Sequence, residues 1–146
     1  MKGFLLTIAL IVMNLVGVRA QDWQTDFSRA KEMASKNKKP IILVFQGSDW
    51  CGPCIKLDRA VWSTADFKAY AAEHYIMVKA DFPRRKSNAL SPELTKANKE
   101  LAEKYNKNGF FPLVVVMDGN GRVLGETSYK KLTPKEYIKE LNSFID

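Results

Sequence analysis

The stretch Ile41-Ile42-Leu43-Val44-Phe45-Gln46-Gly47-Ser48-Asp49-Trp50-Cys51-Gly52-Pro53-Cys54 runs from five consecutive apolar residues, through a polar break, into a C-x-x-C motif. Apolar residues at odd and even positions alike mark a strand buried on both faces, as in the centre of a sheet covered by helices on each side. Gln46 to Asp49 interrupts the strand, and Pro53 fits the first turn of a helix, where its missing N–H costs nothing. Cys51 then stands at a helix N-terminus, where unpaired backbone N–H groups and the helix dipole favour an anion. The thiolate is the reactive form, and a free thiol with a pKa of about 8.5 is only roughly 3% ionised at pH 7. Two intervening residues let one helical turn bring Cys54 to Cys51, so a mixed disulfide formed on Cys51 can be resolved by Cys54. Gly52 leaves the approach to Cys51 open, and Pro53 stiffens the small ring.

Other uses of two cysteines are narrower. A zinc site needs further ligands, and His74 is the one histidine in the chain. Haem attachment wants His directly after the second cysteine, where this chain has Ile55. A redox dithiol and a static structural disulfide both remain, and the strand–C-x-x-C–helix setting favours the dithiol.

Outward from the motif, helix and strand signals alternate. Phe27, Ala30, Met33 and Ala34 lie at helical spacing within 26–37, ended by Lys38-Lys39-Pro40. Ser63 with Asp66 reads as a capping box for a helix to about residue 73, and 75–81 reads as a strand. A basic loop, 82–88, precedes Ser91-Pro92, an N-cap followed by a first-turn proline, and a helix to about residue 106 with the stripe Leu94, Ala97, Leu101 and Tyr105. Leu113 to Met117 is a strand, Asp118-Gly119-Asn120-Gly121 a hairpin turn, and 122–127 the returning strand. Thr133-Pro134-Lys135-Glu136 is a capping box opening a last helix that buries Tyr137, Leu141 and Phe144. The fold class is α/β with a central mixed sheet, parallel pairs coming from the alternation and antiparallel pairs from the hairpin.

The chain has 146 residues, 46% apolar and 27% charged, which suits one globular domain and excludes wholesale disorder. Its N-terminus reads as an address: Met1-Lys2, the 15-residue run from Phe4 to Val18, then the small-x-small pattern Val18-Arg19-Ala20. The expected division is a signal peptide over 1–20 and a domain over 21–146, exported to a compartment where disulfides persist; a retained membrane anchor is the alternative. Removing the leader takes Lys2 and Arg19 and no acid, so the net charge falls from +7 to +5. Arg84-Arg85-Lys86, Lys38-Lys39 and Lys130-Lys131 are short basic clusters with no nucleic-acid motif, and no nucleic-acid partner is expected. Solvated surface is their ordinary reading, and an acidic partner protein is the sharper one.

Trp50-Cys51-Gly52-Pro53-Cys54 resembles the active-site motif of the thioredoxin family, and the resemblance extends over residues 38–146. It implies the thioredoxin fold and a thiol–disulfide oxidoreductase, with Cys51 attacking and Cys54 resolving. It also implies that Pro112, in Gly109-Phe110-Phe111-Pro112-Leu113, is a cis-proline that positions a substrate backbone beside the dithiol. Trp50, Gly52, Pro53, Phe111 and Pro112 would form the substrate-binding surround. Phe110 and Phe111 fit an apolar lip or the core equally well, and His74 has no motif around it. The surroundings are similar to exported bacterial members of the family and to the thioredoxin-like domain of membrane thiol–disulfide interchange proteins. No cofactor is implied. Partners would be disulfide-containing proteins and a membrane thiol–disulfide electron donor. Gly-Pro between the cysteines resembles the reducing members; disulfide isomerase or oxidase, and a non-catalytic binding module, are the alternatives. One position departs from the family: its buried Asp, six residues before the first cysteine, is Phe45 here. Asp49 and Asp81 are the nearest candidates in sequence to replace it, although both also suit solvated loop or strand-end positions.

Overall fold

Asp26 opens the first helix by accepting a hydrogen bond from the Arg29 backbone N–H, and Lys38 closes it in the left-handed conformation. In the computed structural model, which describes residues 22–146, the elements that follow are the expected ones. They are α1 (Phe27–Asn37), β1 (Ile41–Gln46), α2 (Gly52–Leu57), α3 (Ala65–His74), β2 (Ile76–Asp81), α4 (Pro92–Tyr105), β3 (Leu113–Met117), β4 (Val123–Thr127) and α5 (Pro134–Ser143). The segment read as a signal peptide lies outside the described residues.

The four strands lie in the order β2-β1-β3-β4. β1 pairs parallel with β2 and antiparallel with β3, and β3 pairs antiparallel with β4, so the sheet is mixed as expected. Alternation along β1 divides the core. Ile42 and Val44 face α2, α3 and α5, in a layer built on Trp62, Phe67, Tyr75, Tyr137 and Leu141. Ile41, Leu43 and Phe45 face α1 and α4, with Ala30, Ala34, Leu101 and Tyr105. All five are fully buried, the physical reason for the unbroken apolar run. Trp62 is the hub of the first layer, edge-to-face with Trp23, Phe67 and Tyr137. Gln24 covers the outer edge of β2, donating to the Met77 carbonyl and accepting from Lys79 N–H, so that edge is not left open.

Three local expectations need correction. The helix after the motif passes at Asp58–Trp62 into a π-helical turn, which inserts a residue and ends on Ser63, one position short of the cap of α3. Thr64, not Ser63, therefore caps α3, its hydroxyl accepting from Phe67 N–H and donating to the Val61 carbonyl. On α4 Ala97 is exposed and Asn98 is buried in its place, because the Asn98 amide donates to the Asp81 carbonyl and ties α4 to the end of β2. On α5 Tyr137 and Leu141 are buried, whereas Phe144 stands half-buried at the C-cap. The Thr133–Glu136 capping box forms as read.

Candidate active site

Where β1 ends, the chain must turn sharply to start α2, and Gly47 makes that turn possible. Its carbonyl accepts from Cys51 N–H at 2.9 Å, and the Trp50 indole lies so close over it that a Cβ there would overlap the ring. Cys51 is the N-cap of α2 with extended backbone, and Pro53 sits in the first turn. Cys51 and Cys54 are joined as a disulfide with Cα atoms 5.2 Å apart. The Cys54 backbone N–H also points at Cys51 Sγ, 3.3 Å away, and would stabilise negative charge there after reduction. Both cysteines are 4% exposed. A side chain at Gly52 would meet nothing within 4 Å, so the dithiol is reached over an open surface at that residue.

Trp50 is held in place on three sides. Its indole N–H donates to the Phe82 carbonyl at 2.7 Å, its ring meets Phe111 edge-on at 5.5 Å, and the Arg84 guanidinium lies 3.7 Å above it. Phe111 in turn packs edge-on against Phe82. The Phe111–Pro112 peptide bond is cis. Register places Leu113, the next residue, beside Phe45 at the end of β1, so the cis bond emerges at the same pole as the motif. Ser128 Oγ donates to the Pro112 carbonyl, and Tyr137 OH donates to the Ser128 carbonyl, which anchors this loop to α5.

The two phenylalanines have different places. Phe111 is half-buried under Trp50, whereas Phe110 is 61% exposed. Sequence reading missed what holds Phe110 out. Asn106, buried at the end of α4, donates to the Phe110 carbonyl and accepts from its N–H. A buried Asn three residues before a Gly is a weak signal in sequence. Losing both hydrogen bonds in Asn106→Ala should lower stability by about 1–3 kcal/mol, seen as an earlier denaturation midpoint with unchanged slope.

The two acids named as substitutes for the family's buried aspartate, Asp49 and Asp81, both accept hydrogen bonds from loop backbone. Asp49 accepts from Arg84 N–H, Arg85 N–H and the Asn88 amide, and its carboxyl is pulled down from 3.8 to about 2, the Arg84 backbone hydrogen bond being the largest cause. Asp81 accepts from Ser48 N–H and Oγ and from Phe82 N–H. Both staple loops. Phe45 is fully buried in the layer that also takes Phe82 and Phe111, so apolar packing fills the position of the family's acid. Because the Asp49 value is depressed on folding, its contribution is complete above the ordinary carboxylate range and is lost as pH falls toward about 2. Asp49→Asn should therefore flatten the acid limb of stability below about pH 4. It should leave the disulfide-exchange profile between about pH 6 and 9 as in the parent, since the carboxylate is ionised throughout. Urea midpoints and stopped-flow exchange rates check the two halves.

His74 ends α3 at the far side of the first core layer, stacked on Tyr70 at 4.1 Å, and takes no part in the site. Lys38 and Lys39 lie at the opposite pole, in a shallow hollow with Asp118.

Comparison with known proteins agrees with this geometry. The profile of a family described as thioredoxin-like matches residues 22–119. The disulfide bond reductase DsbH of Chlamydia pneumoniae is 33% identical over 123 residues, spanning 84% of this chain and 72% of that protein. A solved structure of a DsbH oxidoreductase superposes with a TM-score of 0.80 at 30% identity, covering 94% of this chain and 93% of the other. A thioredoxin from Thermus thermophilus shares the fold, with a TM-score of 0.62 at 16% identity over 87% of this chain and 88% of its own.

Proposed function

The chain belongs to the thioredoxin-like family and is a thiol–disulfide oxidoreductase, and from that premise we propose that it reduces protein disulfides outside the cytoplasm. The observation that carries this reading is the Cys51–Cys54 pair at the start of α2, reached over Gly52 and flanked by clamped Trp50 and the cis-Pro112 loop. Reduction of one substrate disulfide needs two electrons from the dithiol. The Cys51 thiolate attacks one substrate sulfur, forming a mixed disulfide and expelling the first substrate thiolate. Cys54, deprotonated, attacks Cys51 Sγ; the second substrate thiolate leaves and the Cys51–Cys54 disulfide closes. The expelled thiolates take protons from solvent. With Phe45 apolar and Asp49 held ionised, the Cys54 proton leaves to water.

In this reading Phe111 and Pro112 present backbone to an extended substrate, and Phe110 offers it an apolar contact. Trp50, Gly52 and Pro53 shape the approach to Cys51. The leader-like 1–20 segment supports export, with 21–146 as the working domain and a periplasmic or secreted setting. An exported reductant must itself be reduced, which calls for a membrane thiol–disulfide donor as partner. The reductase named among its relatives and the Gly-Pro pair support reduction over oxidation. Equilibration with glutathione or dithiothreitol tests the direction. A potential near the reducing end of the family, about −270 mV, is expected, and one near the strong-oxidant end, about −120 mV, overturns the reductase reading. Phe110→Ser should raise KM for protein substrates severalfold and leave kcat close to the parent's, checked by initial rates with insulin.

A further inference from the structure

Strand register gathers four connections at the disulfide pole. Gln46 lies beside Asp81, Phe45 beside Leu113, and Val114 beside Thr127, so the ends of β1, β2 and β4 and the start of β3 lie together. Three of these connections, 82–91, 106–112 and 128–133, hold Arg84, Arg85, Lys86, Lys107, Lys130 and Lys131 and no acid. All six are exposed. Residues 22–146 carry +5, the whole-chain +7 less Lys2 and Arg19, so everything outside these six nets −1. Three of the four connections around the dithiol thus carry cations alone, and Asp49 is the one acid of the fourth, so the pole has a basic rim.

The acids packed against that rim are each held in place by hydrogen bonds. Asp49 and Asp81 hold backbone amides, and Glu140 accepts from Thr127 Oγ1 and from Lys130 Nζ at 2.6 Å. Lys130 is thus partly neutralised. Among the described residues, no hydrogen bond or ion pair engages the side chains of Lys86, Lys107 or Lys131. Between the flanks of the rim a shallow groove of about 360 Å³ runs past Phe110, Phe111 and Pro112 to Ser128, with Glu126 the single acid lining it.

We propose that this rim selects partner proteins whose disulfide lies on an extended segment rich in Asp and Glu, laid across Phe110 and Pro112. The inference rests on the disulfide-exchange reading above and adds the chemistry of the partner. Like-signed charge around a cleft raises the local concentration of opposite charge and speeds encounter, an effect that salt screens. It acts on capture of the substrate, not on the sulfur chemistry.

The test uses the reduced protein and two synthetic peptides with the same disulfide loop, one flanked by Asp and Glu, the other by Lys and Arg. The expected result at low ionic strength is kcat/KM at least about tenfold higher for the acidic peptide. The gap should close to within about twofold in 1 M NaCl, where the screening length is about 3 Å. In Lys86→Glu/Lys107→Glu/Lys131→Glu, which brings the six rim positions to zero net charge, the preference should shrink to within about twofold. Equal rates in the parent, a preference that survives 1 M salt, or one unchanged in the triple variant overturns the proposal. The parent's rate on neutral bis(2-hydroxyethyl) disulfide separates the two readings. If it is absent, disulfide exchange falls and the rim proposal with it; if it is present and the peptides react equally, the rim proposal alone falls.

Discussion

Cys51→Ser should lower the rate of protein-disulfide reduction by at least about a thousandfold, to the level of exchange in solution, because the serine hydroxyl cannot form the mixed disulfide. Stability should change little from the substitution itself, although the reduced-like state also lacks the short Cys51–Cys54 ring. Cys54→Ala separates attack from resolution. Cys51 would still attack, and the mixed disulfide would persist, so covalent adducts to substrate proteins should accumulate on non-reducing gels. Residual turnover in Cys51→Ser at more than about a hundredth of the parent rate would assign attack to Cys54. Partner binding retained in Cys51→Ser with no loss of cellular role would favour the binding-module alternative.

The second large effect concerns the position where the family's buried acid is replaced. Phe45→Asp should cost more than about 5 kcal/mol, roughly 3–5 for the lost aromatic ring and the remainder for an uncompensated carboxylate. Phe45 is fully buried in one apolar layer with Leu43, Ala80, Val115 and the aromatic pair Phe82 and Phe111. Since domains of this size are stable by about 5–15 kcal/mol, such a variant should be largely unfolded or melt at least about 15 °C lower. Phe45→Leu keeps the apolar volume approximately and should cost only about 1–2 kcal/mol. Thermal melts followed by circular dichroism compare the two. A Phe45→Asp protein as stable as the parent, with a shifted pH profile of exchange, would show that the site still accommodates a carboxylate.

Much of this molecule is legible in the sequence because its signals are short-range. The run 41–45, the Ser91-Pro92 and Thr133-Pro134 starts, and the Asp118–Gly121 turn each act within a few residues, and each element appears where read. What escaped reading depends on contacts made across the fold. Ser63 lost the cap of α3 to Thr64 because the chain widens into a π-helical turn around Trp62, a choice made by packing and not by the local pattern. Ala97 and Asn98 exchanged places for a hydrogen bond to the end of β2. The site divides in the same way. Cys51 and Cys54 are three residues apart, so their spacing declares their chemistry, whereas Asn106 and Ser128 hold the site from remote positions and carry no motif.

Net charge makes the contrast plainest. Composition alone gives an excess of cations and reads it as ordinary surface. Arg84, Arg85 and Lys86 are 20 or more residues from Lys107 and further still from Lys130 and Lys131, so nothing local relates them. Pairing β1 parallel to β2 and antiparallel to β3 brings their loops to the dithiol and sends Lys38 and Lys39 to the far end. By itself, then, the sequence determined the dithiol, the alternation of elements and the two-sided burial of β1, because spacing and periodicity act along the chain. Only the tertiary structure decided which charges surround the dithiol and which acids are engaged. Coulombic and hydrogen-bond partners are set by distance in space, and here strand register sets that distance.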